Sequence, residues 1–326
     1  MSPAARDEID HLRLVTKVAR LYHTQGLRQR EIGERLRLSQ SRVSRLLRAA
    51  EDAGIVKTVV VVPPQIHADL EDQLEERFGL VDAHVVDSDV EDEDALHRDL
   101  GVAAASFLQP TLQDADVVGF TSWSRSLTAM VEALEPVSRQ AVGEIVEMLG
   151  DLGDPSTQHV AARATQRFAD RMGARAVFLR TPGVVAAPAV RDAILAQDPY
   201  SREAMGRLDR LDVAFAGVGH GRLDEQLLRA GIPFDREQLA RVQADGAVAN
   251  LNFRFVDAGG RPLDSGLDEL VIGVTLEQLR NAGRTVAIAG GRAKHEAIHA
   301  LLLGRWIDVL VTDVATAEHV LAQRAT

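Results

Sequence analysis

Lys294 stands three residues after the Gly290-Gly291 pair in the run AGGRAK, and it is the one lysine after position 57 in a chain of 326 residues. An ammonium at a glycine turn between an aliphatic run and a helical segment is a point charge suited to a phosphate or carboxylate, where arginine would be the compositional default. A second turn of this kind, GFTSWSRSL, follows another aliphatic run and opens a helix. It offers the hydroxyls of Thr121, Ser122, Ser124 and Ser126, the Arg125 guanidinium and free helix amides to an anion. Gly217 and Gly219 in AGVGHG make a third turn. Asn250 and Arg254 on a strand segment, and Gln158 after the glycine-rich LGDLGDPST, are weaker pocket candidates. A surface lysine and a serine-rich helix cap are the plain alternatives for the first two turns.

Nearer the start, Gln29 to Leu47 (QREIGERLRLSQSRVSRLL) carries a helix-turn-helix pattern. Ile32 and Leu36 are four apart on a first helix, Gly33 permits close approach of a second, Leu38 plugs the turn, Ser39 caps the second helix, and Val43, Leu46 and Leu47 form its buried face. Ser41, Ser44, Arg45 and Arg48 then share the outer face, with Gln40 and Arg42 at its N-terminal end and Arg28 and Gln29 at the entry to the first helix. Arginine and glutamine are the side chains that read guanine and adenine edges, so the predicted partner is double-stranded DNA. Charge agrees: residues 1–57 carry net +5, whereas the whole chain, with 37 basic and 48 acidic side chains, carries −11. A basic end on an acidic body points to a polyanion met by the first segment alone.

Two patterns suggest enzymes instead. His295, Glu296 and His299 spell the helical zinc-protease motif H-E-A-I-H, with Glu318 as a loose third ligand. His220 after GVG could serve as the general base of a sugar-phosphate isomerase. Both are set aside: a Gly-Gly turn opens the first motif directly and a predicted buried strand separates it from Glu318, while a lone loop histidine is more often a hydrogen-bonding residue. No catalytic residue, metal ligand or cofactor is assigned.

The elements that must hold these groups are legible in the hydrophobic pattern. Residues 8–24 place Ile9, Leu12, Val15, Val18 and Leu21 at helical steps ended by Gly26, and Ile66, Leu70, Leu74 and Phe78 recur every fourth position. That seam needs a cover, either a second subunit or the body. KTVVVVPP, from Lys57, reads as a strand stopped by prolines. Beyond residue 80, aliphatic runs at 83–86, 117–120, 144–149, 176–179, 213–217, 286–289 and 309–312 alternate with helical segments, as a parallel sheet with crossover helices requires. The acidic run Asp87 to Asp94 reads as a solvated loop. The expected class is α/β: a small all-helical helix-turn-helix domain at 1–57, a strand and linker helix at 58–80, and a doubly wound, mostly parallel, Rossmann-like domain at 81–326. Ligands of such sheets bind at the carboxyl ends of the strands.

The helix-turn-helix, the seam helix and the long α/β body together resemble the SorC family of sugar-binding transcriptional regulators. The resemblance runs through LGVAAAS (100–106), VGFTSWSRSL (118–127), DVAFAGVG (212–219), GAVANLNFRFVD (246–257), AGGRAKHEAI (289–298) and LVTDVATA (310–317), in order. It implies an effector domain similar in fold to sugar-phosphate isomerases, a sugar, polyol or sugar phosphate as effector, and a homodimer or homotetramer on a palindromic operator.

Composition adds exclusions. The absence of cysteine rules out disulfides, thiolate zinc sites and thiol nucleophiles. The charged start MSPAARDEID lacks the apolar core of a secretion signal, and the longest aliphatic run, Val59–Val62, is far short of a membrane span. A cytoplasmic protein with no membrane partner is expected.

Overall fold

The computed structural model describes residues 3–56, 66–112, 115–153, 155–221, 234 and 236–323, with side chains undescribed at 3–8, 155–160 and 236. Two compact units, Met1–Val62 and Pro63–Thr326, make up the chain. The strand expected from Lys57 lies outside the described residues. Among those residues, no helix is long and apolar enough to cross a membrane.

In the first unit, α1 (Pro3–Ala19) runs on as a single π-helical turn at Arg20–Thr24, followed by α2 (Gln29–Leu36) and α3 (Gln40–Asp52). Val15, Val18 and Leu21 pack on Ile32, Val43, Leu46 and Leu47. Ile9 and Leu12, expected on the same stripe, are exposed instead. The 17-residue α1 is longer than the 8-residue α2 and 13-residue α3, and among the described residues its packing on them begins with Val15.

The second unit opens with α4 (Ala68–Phe78). Leu74 and Phe78 are buried in the body and Leu70 packs at its margin, whereas Ile66 is exposed. The body therefore covers the seam from Leu70 onward. The strands, in chain order, are β1 (Asp82–Val86), β2 (Ala115–Phe120), β3 (Val142–Glu147), β4 (Arg175–Val177), β5 (Val213–Ala216), β6 (Val218–His220), β7 (Ala249–Leu251), β8 (Arg254–Val256), β9 (Arg284–Ile288) and β10 (Val309–Asp313). Seven of them form one parallel sheet in the order β1-β10-β9-β5-β2-β3-β4, and β6-β7-β8 form a small antiparallel sheet. The seven aliphatic runs are the seven strands of the large sheet. Both of its faces are buried, and adjacent residues serve opposite layers: Ala214 and Ala216 pack on one side, Val213 and Phe215 on the other. Helix α4 also shields the β1 edge, where the amides of Ala83 and Val85 donate to Glu75 Oε1 (3.0 Å) and Glu71 Oε1 (2.9 Å).

The chain leaves β2 for β3 and β4 on one side and returns to β5 on the other. The carboxyl ends of β2 and β5 thus mark the switch point of the sheet, where a crevice is expected. Around it, α5 (Glu93–Thr111) and α6 (Arg125–Ala133) cover one face, and Gly101 is where they touch: a Cβ there would lie 2.6 Å from the Ala129 backbone.

Candidate functional site

The helix-turn-helix is built from local contacts. A Cβ on Gly33 would stand 2.7 Å from the Leu38 carbonyl, so only glycine lets the turn close. Arg37 takes the left-handed conformation (φ 56°) that ends α2, Glu31 Oε2 accepts the Arg28 amide at 2.7 Å, and Ser39 Oγ accepts the Arg42 amide at 3.3 Å. Those caps fix the rotation of α3. Val43, Leu46, Leu47 and Ala50 face inward, while Gln40, Ser41, Arg42, Ser44, Arg45 and Arg48 are exposed. Arg28 is exposed and Gln29 half-buried at the start of α2. Among the described residues, Arg42, Arg45 and Arg48 have no carboxylate partner, unlike Arg30, which reaches Glu34 at 3.7 Å.

In the second unit, a crevice of about 660 Å³ opens at the carboxyl ends of β2, β5 and β9. Thr121, Trp123, Ser124 and Arg125 line it from the β2 turn, Gly217 and Gly219 from the β5 turn, and Gly290, Gly291 and Lys294 from the β9 turn. The three turns singled out in the sequence thus meet in one place. The β9 turn is pinned from below: the Gly291 amide (φ 87°) donates to buried Asp313 Oδ2 at 2.8 Å, and a Cβ on Gly290 would stand 2.1 Å from the same oxygen. A Cβ on Gly217 would press on Thr121 Cγ2 at 3.0 Å. Ser124 caps α6 by accepting the Leu127 amide at 3.4 Å, so the amino end of α6 faces the crevice.

Lys294 is partly accessible from the crevice, and among the described residues its ammonium has no hydrogen-bond or ion-pair partner. Burial, reinforced by the Arg125 charge and opposed by Glu93, holds its pKa below the usual lysine value. Across the crevice, His97 of α5 sets Nδ1 2.7 Å from Ser126 Oγ. Burial first, then the Arg125 and Lys294 charges, push this imidazole down to about 4, so it is neutral near pH 7. With His97 neutral, the positive charge lining the crevice comes, among the described residues, from Lys294, Arg125 and Arg292.

Several sequence expectations need correction. Arg254 is 3% exposed and turns away from the crevice, donating to the carbonyls of Val274 (3.0 Å), Gly273 (3.3 Å) and Asp268 (2.6 Å). Three backbone acceptors make it a strut beneath the small sheet. Ser126 is buried and engaged by His97, and buried Ser122 faces an adjoining groove on the outer side of α6, which also holds Val102 and Ala133. Arg125 is half-exposed and tied to Glu93 (3.1 Å) and Asp94. Asn250 lines the crevice, but its Nδ2 donates to the His220 carbonyl of β6 (2.9 Å) and its Oδ1 accepts the Phe253 amide of the β7-β8 turn (3.2 Å), which spends both ends within the small sheet. The Gln158 side chain lies outside the described residues. His97, Trp123 and Asn252, whose Oδ1 accepts the Thr121 hydroxyl at 2.9 Å, were not singled out. Trp123 lies in the VGFTSWSRSL run and Asn252 in GAVANLNFRFVD, whereas His97 has no local signal.

The H-E-A-I-H residues are packing groups: His295 stacks on His319 with ring centroids 4.3 Å apart, and His299 meets Phe78 edge-on at 5.9 Å. Glu296 is exposed. Among the described residues, no group of three or more His, Asp or Glu could hold a metal.

A family model described as "Putative sugar-binding domain" matches residues 63–322, and one described as "Winged helix-turn-helix DNA-binding" matches residues 19–57. The chain is 31% identical over 304 residues to the deoxyribonucleoside regulator of Bacillus subtilis, covering 93% of this chain and 96% of that protein. It is 28% identical over 310 residues to the sorbitol operon regulator of Klebsiella pneumoniae, covering 95% and 98%. The crystal structure of the full-length sorbitol operon regulator SorC from Klebsiella pneumoniae superposes with a TM-score of 0.71 at 29% identity, over 95% of this chain and 98% of that one.

Proposed function

This chain belongs to the SorC family of sugar-binding transcriptional regulators, and from that premise we propose how its two units divide the task. It is a DNA-binding regulator with an effector-binding body, not an enzyme. Helix α3 enters the major groove of operator DNA, where Gln40, Ser41, Arg42, Ser44, Arg45 and Arg48 meet base edges and flanking phosphates, while Arg28 and Gln29 contact the backbone. One helix-turn-helix reads one half-site, so a homodimer or homotetramer on a palindromic operator follows. The operator places the protein in the cytoplasm.

The effector is a phosphorylated sugar or polyol held in the crevice. The observation that carries this is Lys294. A desolvated ammonium without a counter-charge is costly, and a phosphate at the switch point supplies that charge, assisted by Ser124 and the first-turn amides of α6. Thr121, Gly217, Gly219, Gly290 and Gly291 shape the walls around the sugar.

The test is to select operator duplexes from random DNA with the full-length protein, then titrate sorbitol, deoxyribose and their monophosphates against the selected duplex. A phosphorylated compound should change DNA affinity at least fivefold, the lower range of allosteric coupling. If only the unphosphorylated compounds change it, the phosphate reading is overturned.

A further inference from the structure

The acidic run at 87–94 does not simply face solvent, because Val90, Glu91 and Glu93 line the crevice. Glu93 Oε2 takes Arg125 Nη1 at 3.1 Å, and Asp94 binds the other amino group of the same guanidinium. Glu91 Oε1 reaches Arg292 Nη2 at 3.4 Å. The two arginines stand at the entry to α6 and just after the Gly290-Gly291 pair, so one short acidic segment engages the cationic rim of the crevice at two points. Deeper in, Lys294 has no carboxylate of its own among the described residues.

We propose that Glu93 and Asp94 act as an internal counter-anion that holds Arg125 back from the ligand and thereby selects effectors carrying one phosphate, at the Lys294 end, and uncharged hydroxyls at the Glu93 end. The proposal rests on the phosphate reading above and deepens it. A hydroxyl donates a hydrogen bond to a carboxylate, whereas a second phosphate or a carboxylate on the ligand meets Glu91 and Glu93 in the crevice as like charges, with Asp94 behind them on Arg125. The Arg125 pairs are water-facing, with side-chain exposures of 54% for the arginine and 74% and 75% for the acids, so the clamp is weak and displaceable. Both acids also suit the first turn of α5. That role concerns helix stability and makes no demand on ligand affinity, which separates the two.

Calorimetry on the full-length protein tests the clamp, with inorganic phosphate, glucose 6-phosphate and glucose 1,6-bisphosphate as probes. The Glu93→Gln/Asp94→Asn variant should bind inorganic phosphate roughly three- to tenfold more tightly than wild type at low salt, with the gain shrinking at about 0.5 M salt. Its preference for the monophosphate over the bisphosphate should narrow by a similar factor. Glu132→Gln, whose carboxylate pairs with Arg167 on the outer side of α6, should leave both quantities within about twofold and so control for net charge. Glu93→Gln alone should move both in the same direction if the double variant folds poorly. If wild type binds phosphate through Lys294 but the neutralised variants bind it no more tightly, the clamp is overturned and the phosphate site stands. Binding by neither wild type nor the variants overturns both.

Discussion

Replacing Lys294 by methionine should stabilise the ligand-free protein while weakening its affinity for a phosphorylated effector. The stem of lysine is retained in shape, so little packing is lost, and what disappears is a desolvated charge with no partner among the described residues. Relief of such a charge should contribute about 1–2 kcal/mol at pH 7, well below the full cost of an isolated buried ion because the side chain is partly accessible from the crevice. For a unit of this size that is a rise in midpoint of about 2–6 °C. The sign against pH follows from the lowered pKa: between the folded value and the ordinary 10.5, the unfolded chain binds more protons than the native one, so wild-type stability climbs with pH in that window. The advantage of the variant should therefore shrink as pH rises from the folded value towards 10.5. Trp123 and Trp306 are the chain's two tryptophans, so fluorescence-detected urea unfolding reports on the body alone. Loss of a charge-assisted contact, about 1.5–3 kcal/mol, should weaken phosphate binding roughly ten- to a hundredfold. A variant less stable than wild type at pH 7, or an advantage that grows with pH, would refute the reasoning.

Three further outcomes are expected. Arg45→Ala and Arg48→Ala should each weaken operator binding by about 1–3 kcal/mol where a base edge is lost, or lower the salt slope by about 0.9 where a phosphate contact is lost, with body stability unchanged; gel-shift titrations at several salt concentrations would distinguish these. Gly33→Ala should lower the unfolding transition of the first unit by about 1–3 kcal/mol, measured by calorimetry of the whole chain, because its Cβ meets the Leu38 carbonyl and the turn must open; an unchanged transition would mean the turn is not tight. His97→Asn should flatten the acid dependence of body stability: the native imidazole is held neutral down to about 4, so wild type loses stability as pH falls from 6.5 towards 4, by about 1–3 kcal/mol, and urea titrations at pH 7 and 4.5 should find that loss reduced in the variant.

The sequence by itself determined the helix-turn-helix and the strands of the large sheet. Gly33, Leu38, Ser39 and Val43 lie within eleven positions, and the forces that join them, a cap, a glycine contact and one apolar face, act between near neighbours. A strand buried on both faces must be aliphatic throughout, so the seven runs were visible without their partners. The three-residue strands β6, β7 and β8 carry no such period, and the β7-β8 hairpin turns on Asn252 and Phe253 at φ 51° and 64°, a conformation that asparagine tolerates but that phenylalanine does not advertise. Side-chain destinations were also hidden. Arg254 looked like a pocket residue on a strand segment, yet the tertiary fold set three carbonyls around its guanidinium. His97 meets Ser126 across 29 positions, and Glu93 and Asp94 reach Arg125 across about as many. Those pairs exist because α5 and α6 pack at Gly101, and helix packing is decided by shape across the whole layer. Local chemistry announced which turns could bind an anion; only the closed sheet decided that three of them share one crevice and that both of the arginines lining it, Arg125 and Arg292, are engaged by acids.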